Sequence, residues 1–122
     1  MTVKRVAKDG LIELQGALRE FVSDRDWDQF HSPKNLATGL SIEAGELLEQ
    51  FQWLSDSESQ NLTPKNLQAV REEMADVLLY LLRLSDKLDV DLVAAGLEKL
   101  ELNAKKYPIE KAKGSRKKYS DL

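Results

Sequence analysis

The strongest constraint on the fold is a helical spacing of apolar residues that recurs in four segments of the 122-residue chain. In each segment apolar residues return every three or four positions, which is the period of an amphipathic α-helix. No segment shows the alternating pattern of a β-strand. Ser32-Pro33 and Thr63-Pro64 are typical helix starts, because the hydroxyl caps the helix and proline is tolerated in its first turn. The sequence therefore predicts an all-α fold.

The predicted helices account for most of the chain and are joined by short polar connections. Pro108 ends the last helix because proline cannot continue one, and either Asp89 or Asp91 caps its start. Four amphipathic helices with short connections indicate a four-helix bundle. The length indicates one domain over residues 1–122, with a basic tail from about residue 108. The predicted helices cover residues 6–23, 33–54, 64–88 and a last segment that ends near Tyr107, and segment 55–62 is predicted to be a polar loop.

Composition and charge narrow the classes of function. The chain contains no cysteine, which excludes disulfides and thiolate metal sites and fits a reducing, cytoplasmic location. No run of about 18 apolar residues is present, so we expect no membrane span. A net charge of −3 argues against nucleic acid as a partner. The charge is uneven, however, and the basic segment 105–118 is either a solvated tail or a contact for a polyanion.

Carboxylates lie on the faces of the second and third helices that should be buried. Glu43 falls within the apolar stripe of the second helix, and Glu46 follows one turn later, about 60° to the side. Glu73 lies beside the apolar stripe of the third helix, and Asp76 follows it by three residues, about one turn further along the helix. Each helix therefore brings an acidic pair to the edge of its buried face. The two stripes are Leu36, Leu40, Leu47, Phe51 and Leu54 on the second helix, and Val70, Met74, Val77, Leu81, Leu84 and Leu88 on the third.

Two such pairs facing each other would place four carboxylates in one small space. Burial and mutual repulsion would oppose their ionisation, and a hard divalent cation such as Mg²⁺, which takes oxygen ligands, would resolve the conflict. The alternative is that the acids rim the bundle and pair with lysines. Two pairs that each border an apolar stripe favour the metal site. Glu49 extends the series but lies about 120° from Glu43, either at a second edge of the site or in water.

Aromatic side chains share the faces of these acids. Trp53 and Tyr80 each follow an acid of the predicted site by seven residues, which places them two turns away on the same face. Trp27 and the single histidine, His31, lie in the connection before the second helix. The aromatics either stack on a nucleobase or pack in the core. His31 either hydrogen-bonds a base or phosphate or stabilises a turn.

The order and spacing of these residues resemble the MazG-like all-α nucleoside triphosphate pyrophosphatases, and within them the dCTP pyrophosphatase branch. The superfamily pattern is E-x-x-E, a gap, and E-x-x-D. It is present here between Glu43 and Glu46 and between Glu73 and Asp76. The resemblance covers nearly the whole chain and includes the segments RDWDQFHSPKNL, EAGELLEQFQW, EEMADVLLYLL, DVDL, NAKKYP and SRKKY.

The resemblance implies an enzyme that uses Mg²⁺, with Mn²⁺ as a substitute, to cut a nucleoside triphosphate into its monophosphate and pyrophosphate. It also implies a homodimer, or a homotetramer built from dimers, with pockets at subunit interfaces. The implied site residues are Glu43, Glu46, Glu73 and Asp76 for the metal, Trp27, His31, Trp53 and Tyr80 for the base and sugar, Lys99 and Asn103 for the phosphates, and Tyr107 with the SRKKY tail for closure.

In the expected reaction water attacks the α-phosphorus, and a carboxylate accepts its proton, with Glu46 as the first choice and Glu49 as the second. Two departures from the family bear on substrate choice. Segment 55–62 is shorter than in animal dCTP enzymes, and Lys105 and Lys106 stand where some members have arginine. We expect dCTP or a modified dCTP as substrate. The alternatives are a broad-specificity house-cleaning enzyme, a phosphoribosyl-ATP pyrophosphatase and a non-catalytic helical interaction module.

Overall fold

The computed structural model describes residues 9–122, and every regular element within that range is helical. The all-α class predicted from the sequence is therefore confirmed. The start of the first helix, expected near residue 6, lies outside the described residues. No helix in the described range is both long and apolar enough to cross a lipid bilayer. The α-helices are α1 (Gly10–Asp24), α2 (Pro33–Glu49), α3 (Asp56–Ser59), α4 (Pro64–Leu88), α5 (Leu92–Lys106) and α6 (Ile109–Ala112).

The chain divides at Asp89 into two compact units. In the first unit α4 packs most extensively against α2 and also contacts α1. Over residues 9–89, the buried apolar side chains of this unit are Val22 of α1, Leu36 of α2, and Val70 and Leu82 of α4. Its core therefore draws on all three long helices.

The second unit, Val90–Leu122, begins with α5 and continues through α6 to a 3-10 turn at the end of the chain. The ring of Tyr119 lies edge-on to the ring of Tyr107, with the centroids 6.0 Å apart. The ammonium group of Lys106 lies 5.0 Å from the centroid of the Tyr119 ring. The basic tail is therefore anchored through Tyr119 to the end of α5.

The helix starts predicted from the sequence are confirmed by side-chain caps. The hydroxyl of Ser32 accepts a hydrogen bond of 3.1 Å from a backbone N–H in the first turn of α2, and the hydroxyl of Thr63 accepts one of 3.2 Å in α4. Asp91 caps α5 in the same way at 3.0 Å. Asp89 instead ends α4 in the left-handed conformation, with φ of 53°. The structure thus decides between the two predicted caps in favour of Asp91.

The predicted extent of the second helix is wrong at its end. α2 stops at Glu49, and α3 forms within the segment predicted to be a loop. A capping box explains the new helix: the hydroxyl of Ser55 accepts from the N–H of Glu58 at 3.1 Å, and the carboxylate of Glu58 accepts from the N–H of Ser55 at 3.0 Å. This pair satisfies two otherwise unpaired donors, and its S-x-x-E pattern was readable from the sequence.

The set of apolar residues predicted to form the buried face of α4 is only partly correct. Val70 is buried, but Met74 and Leu88 are more than half exposed. The reason is that α4 contacts both α2 and α1, so its buried face is turned towards Glu73 and Tyr80. Glu73 was predicted to lie beside the stripe, and Tyr80 was predicted to share the face of Glu73. The side left uncovered, called here the α4 apolar stripe, carries Leu67, Met74, Leu78, Leu81 and Leu88.

A close approach between α2 and α4 depends on the absence of a side chain at Gly39. A Cβ atom at this position would overlap the ring of Tyr80, lying 2.8 Å from its Cδ1 atom. The Tyr80 ring therefore packs on the backbone of α2, four residues before Glu43. The same contact sets the spacing of the two helices next to the predicted site.

Gly39→Ala should lower the melting temperature, because the Tyr80 ring has to move away from the added methyl group. Such overpacking typically costs about 1–3 kcal/mol. Gly45→Ala is a matched control on the same helix, since a Cβ atom there meets nothing within 4 Å, and alanine favours a helix interior by roughly 0.5–1 kcal/mol. Thermal melts of both variants provide the comparison. Equal melting temperatures for the two variants would contradict the close approach.

Candidate active site

The four acids predicted from the sequence converge where α2 meets α4. Glu43 of α2 and Glu73 and Asp76 of α4 each present an oxygen atom, and these atoms lie within 4.8 Å of one another. Glu46 lies near both Glu43 and Glu73 and contributes to the raised pKa of each. The i to i+3 spacing on each helix places both members of a pair on the face towards the other helix. Like charges are thus concentrated at the contact between the two helices.

Burial and neighbouring carboxylates oppose the ionisation of this cluster. Burial, followed by the contact with Glu46, raises the pKa of Glu43 from its ordinary value of 4.5 to about 7. Burial and the charge of Glu46 also raise the pKa of Glu73. The Oε2 atoms of Glu43 and Glu73 are buried and have no hydrogen-bond partner among the described residues. Because a buried oxygen of this kind needs a donor or a cation, the donor set fits a hard divalent cation such as Mg²⁺.

A cavity of about 280 Å³ lies in the first unit beside the acid cluster. Asp76 belongs both to the cluster and to the cavity wall. Three aromatic residues predicted from the sequence, Trp27, His31 and Tyr80, line the same wall. The remaining lining is mainly aliphatic. The cavity can thus enclose a flat apolar group next to the position of a cation.

The end of α1 positions Trp27. Asp26 adopts the left-handed conformation, with φ of 54°, and so reverses the chain after the helix. The backbone N–H of Trp27 then donates to the carbonyl of Val22 at 3.1 Å. The Trp27 ring meets the ring of Phe21 edge-on, with the centroids 5.7 Å apart. The connection before α2 is therefore an ordered part of the cavity wall.

Arg83 is a cavity residue that the sequence analysis missed. It is buried, and its Nε atom donates to Nδ1 of His31 at 3.0 Å, while its terminal nitrogen pairs with Asp28. Burial, followed by the charge of Arg83, lowers the pKa of His31. The signal that could have found Arg83 is helical spacing, because it follows Tyr80 by three residues and Asp76 by seven. Both roles considered for His31 are compatible with this geometry, since the ring bonds Arg83 and also lines the cavity.

Other predicted residues lie outside the cavity wall or in the second unit. Glu49 is exposed at the end of α2, and the ring of Trp53 is 86% exposed in the turns that follow and does not line the cavity. Lys99 is exposed and Asn103 half-buried, one turn apart on α5. Tyr107 ends that helix against Tyr119. Their assignment to the site stays a prediction.

Comparisons with known proteins agree on one family. The model described as the MazG-like family matches residues 39–122. The protein named dCTP pyrophosphatase 1 is 47% identical in Rattus norvegicus and 45% identical in Homo sapiens, over 105 residues. These alignments cover 84% of this chain and 62% of each relative, so the chain spans less than two thirds of their length. The crystal structure of a pyrophosphatase from Archaeoglobus fulgidus DSM 4304 has 42% sequence identity and a TM-score of 0.78, and the match covers 88% of this chain and 99% of that one.

The raised pKa values predict that the cation-free protein loses stability as pH rises. A carboxyl with a raised folded-state pKa contributes stability that is fully present below its unfolded pKa and is lost as pH rises through the folded value. For Glu43 this loss extends from about 4.5 to beyond about 7, and Glu73 adds to it in the same direction. We therefore expect the melting temperature of the cation-free protein to fall between about pH 5 and about pH 8.

Glu73→Gln tests the origin of this loss, because it keeps the shape of the side chain and removes one charge. At about pH 8 without cation the variant should melt at the same temperature as the parent or higher, and it should gain less from added Mg²⁺. Glu72, the exposed neighbour of Glu73, offers a matched control. Glu72→Gln removes a charge outside the cluster and should melt at the same temperature as the parent, with the same gain from Mg²⁺. A Glu73→Gln variant that melts below the parent under these conditions would contradict repulsion among the acids.

Proposed function

Because the chain belongs to the MazG-like family, we propose that it hydrolyses a nucleoside triphosphate to the monophosphate and pyrophosphate. The observation that carries the proposal is the group of crowded carboxylates beside a cavity with aromatic walls. The names of the relatives, dCTP pyrophosphatase 1 and a pyrophosphatase, support the reaction, and the first favours dCTP or a modified dCTP. The proposal treats residues 1–122 as one functional domain with a basic tail.

The acids have two tasks in the proposed reaction. Glu43, Glu46, Glu73 and Asp76 would hold Mg²⁺, or Mn²⁺ in its place, because every donor atom is an oxygen. When bound, the cation neutralises the charge of the triphosphate and polarises its phosphoryl oxygens. A carboxylate accepts a proton from the water that attacks the α-phosphorus. Glu46 is the first candidate for this base, since it lies within the cluster, and the exposed Glu49 is the second.

The cavity suits the base of the nucleotide. Its volume of about 280 Å³ is just below the usual range for ligand pockets, about 300–1,000 Å³. Trp27 and Tyr80 offer ring faces for stacking, and His31 offers a hydrogen bond. Since Asp76 lies at the cavity wall, a base within it would direct its phosphates towards the acids. Lys99 and Asn103 are proposed to bind these phosphates, and Tyr107 and the tail to close the site, on the family resemblance alone.

Buried oxygens also separate this proposal from a non-catalytic helical interaction module. Such a module would carry its acids on solvent-exposed faces. Here one carboxylate oxygen of Glu43 and one of Glu73 are buried without a hydrogen-bond partner within residues 9–122. This arrangement destabilises a scaffold unless a cation or protons neutralise it. A broad-specificity enzyme remains an alternative outcome of the substrate comparison below.

Incubation of the protein with Mg²⁺ and a panel of nucleoside and deoxynucleoside triphosphates tests the reaction. We expect monophosphate and pyrophosphate as products, dCTP or a modified dCTP as the preferred substrate, and loss of hydrolysis after chelation, because the acids need the cation. In ¹⁸O-water the label should enter the monophosphate. Release of orthophosphate, label only in pyrophosphate, or full activity after exhaustive chelation would each contradict the proposal. Similar rates with all the nucleotides would indicate the broad-specificity alternative.

We further propose that the chain forms a homodimer, or a homotetramer built from dimers. The α4 apolar stripe exposes five large side chains, each at least 36% accessible. Trp53 at 86% and Ile42 at 57% add to the exposed apolar surface of the first unit. Contiguous apolar patches of this kind mark interaction sites. A second copy of the chain is the proposed cover, in agreement with the family resemblance.

Light scattering on the purified protein at micromolar concentration should therefore give the mass of two or four chains. Met74→Glu should shift the mass towards the monomer, because a charge in the α4 apolar stripe would be buried without a partner at an interface. Glu72→Gln is the control for a substitution outside the stripe and should keep the assembly. A monomer mass for the parent protein would refute the proposed assembly.

A further inference from the structure

Arg83 is a buried cation in the cavity wall to which the proposed hydrolysis assigns no role. Only 8% of its surface is exposed. Its Nε atom donates to Nδ1 of His31 at 3.0 Å, and its terminal nitrogens pair with Asp28 and, at 3.7 Å, with Asp86. One guanidinium group thereby ties α4 to the connection between α1 and α2, which carries both Trp27 and His31.

The bond from Arg83 permits only one neutral tautomer of His31. A guanidinium group only donates hydrogen bonds and is not deprotonated in proteins, so Nδ1 of the imidazole has to be a bare acceptor. A neutral imidazole that accepts at Nδ1 carries its proton on Nε2. A second proton, on Nδ1, would face the N–H group of Arg83 and break this hydrogen bond. The ring is therefore held neutral, with Nε2–H as its hydrogen-bond donor.

We propose that Arg83 is a positioning residue that makes His31 a fixed hydrogen-bond donor to the base of the nucleotide. This inference rests on the proposed function, because it assigns the base to the cavity that His31 lines. A fixed donor selects a base edge that presents an acceptor, either a carbonyl oxygen or an unprotonated ring nitrogen. Cytosine offers both kinds of acceptor, at O2 and N3. The tautomer set by Arg83 thus determines which edge of the base faces His31.

The partners of Arg83 hold it in place and also make its removal tolerable. Asp28 is paired with Arg83 and with the ammonium group of Lys87, the latter at 2.5 Å. Asp86 is paired with Arg19 at 2.5 Å as well as with Arg83. After removal of Arg83, Asp28 therefore keeps Lys87 and Asp86 keeps Arg19. A substitution of Arg83 removes the bond to the imidazole without leaving either carboxylate unpaired.

The single histidine makes the test direct, because protein labelled with ¹⁵N-histidine contains one imidazole. In nitrogen-detected NMR spectra at neutral pH, the parent should show a bare Nδ1 and a protonated Nε2. Arg83→Met should lose this preference and exchange between tautomers. Lys87→Met is the matched control, since it removes the other cation of Asp28 and leaves the bond to His31, and it should keep the parent pattern. A parent ring protonated at Nδ1, or an unchanged tautomer in Arg83→Met, would overturn the proposal.

Kinetics with dCTP provide a readout that a purely structural role would not change. Arg83→Met should raise KM roughly five- to tenfold, the equivalent of about one hydrogen bond, while kcat stays close to the parent value. Lys87→Met should change neither constant. In a His31→Ala background, Arg83→Met should add little, because Arg83 acts through the ring. Equal increases of KM in both backgrounds would overturn the positioning role.

Two further outcomes are also decisive. If Arg83→Met does not fold, the same comparisons apply to Arg83→Gln, whose side-chain amide both donates and accepts hydrogen bonds and therefore selects neither tautomer. A parent protein that hydrolyses no nucleotide would contradict the proposed function. The tautomer of His31, and its response to dCTP binding, would still decide the present inference, because neither measurement needs turnover.

Discussion

The crowding of carboxylates between α2 and α4 is the constraint on which the rest of the first unit depends. The helices approach closely enough for the ring of Tyr80 to lie on Gly39, and the same approach brings Glu43 against the acids of α4. In the part of the chain that the structure describes, the buried oxygens have no hydrogen-bond partner, so the contact that forms the core also needs protons or a cation to neutralise it. Packing of these two helices is therefore coupled to neutralisation of the acids, and the proposed cation would supply the neutralising charge.

The ion-pair network around Arg83 is balanced electrostatically. Asp28 and Asp86 each meet two cations, and Arg83 is shared between them. The acid cluster needs a ligand to relieve repulsion, whereas this network is satisfied by the protein itself. Satisfied polar networks favour one geometry. The connection that carries Trp27 and His31 therefore has a fixed position, whereas the negative charge of the acid cluster is not balanced in this way. In the proposed function, the residues held by this network recognise the base, and the acid cluster handles phosphate and metal.

Local information in the sequence determined the helical class, the helix starts and the placement of the acids on helix faces. These features depend on backbone hydrogen bonds and side-chain contacts within a few residues, such as the cap at Ser32 and the i to i+3 step from Glu73 to Asp76. The family pattern is carried by the same short spacings. The capping box at Ser55 was equally local, so the helix that it starts was predictable as well.

Tertiary structure decided which side of α4 is buried and what its polar residues touch. The apolar pattern alone places Met74 and Leu88 inside, but α4 has to cover α1 as well as α2, and the buried face turns towards Glu73 and Tyr80. The bond between Arg83 and His31 joins residues 52 positions apart, and no local spacing specifies such a contact. The sequence by itself determined the helices and the acids they carry, because their causes lie within one or two turns. Only the packing of distant helices decided how those acids, the cavity and its arginine come together.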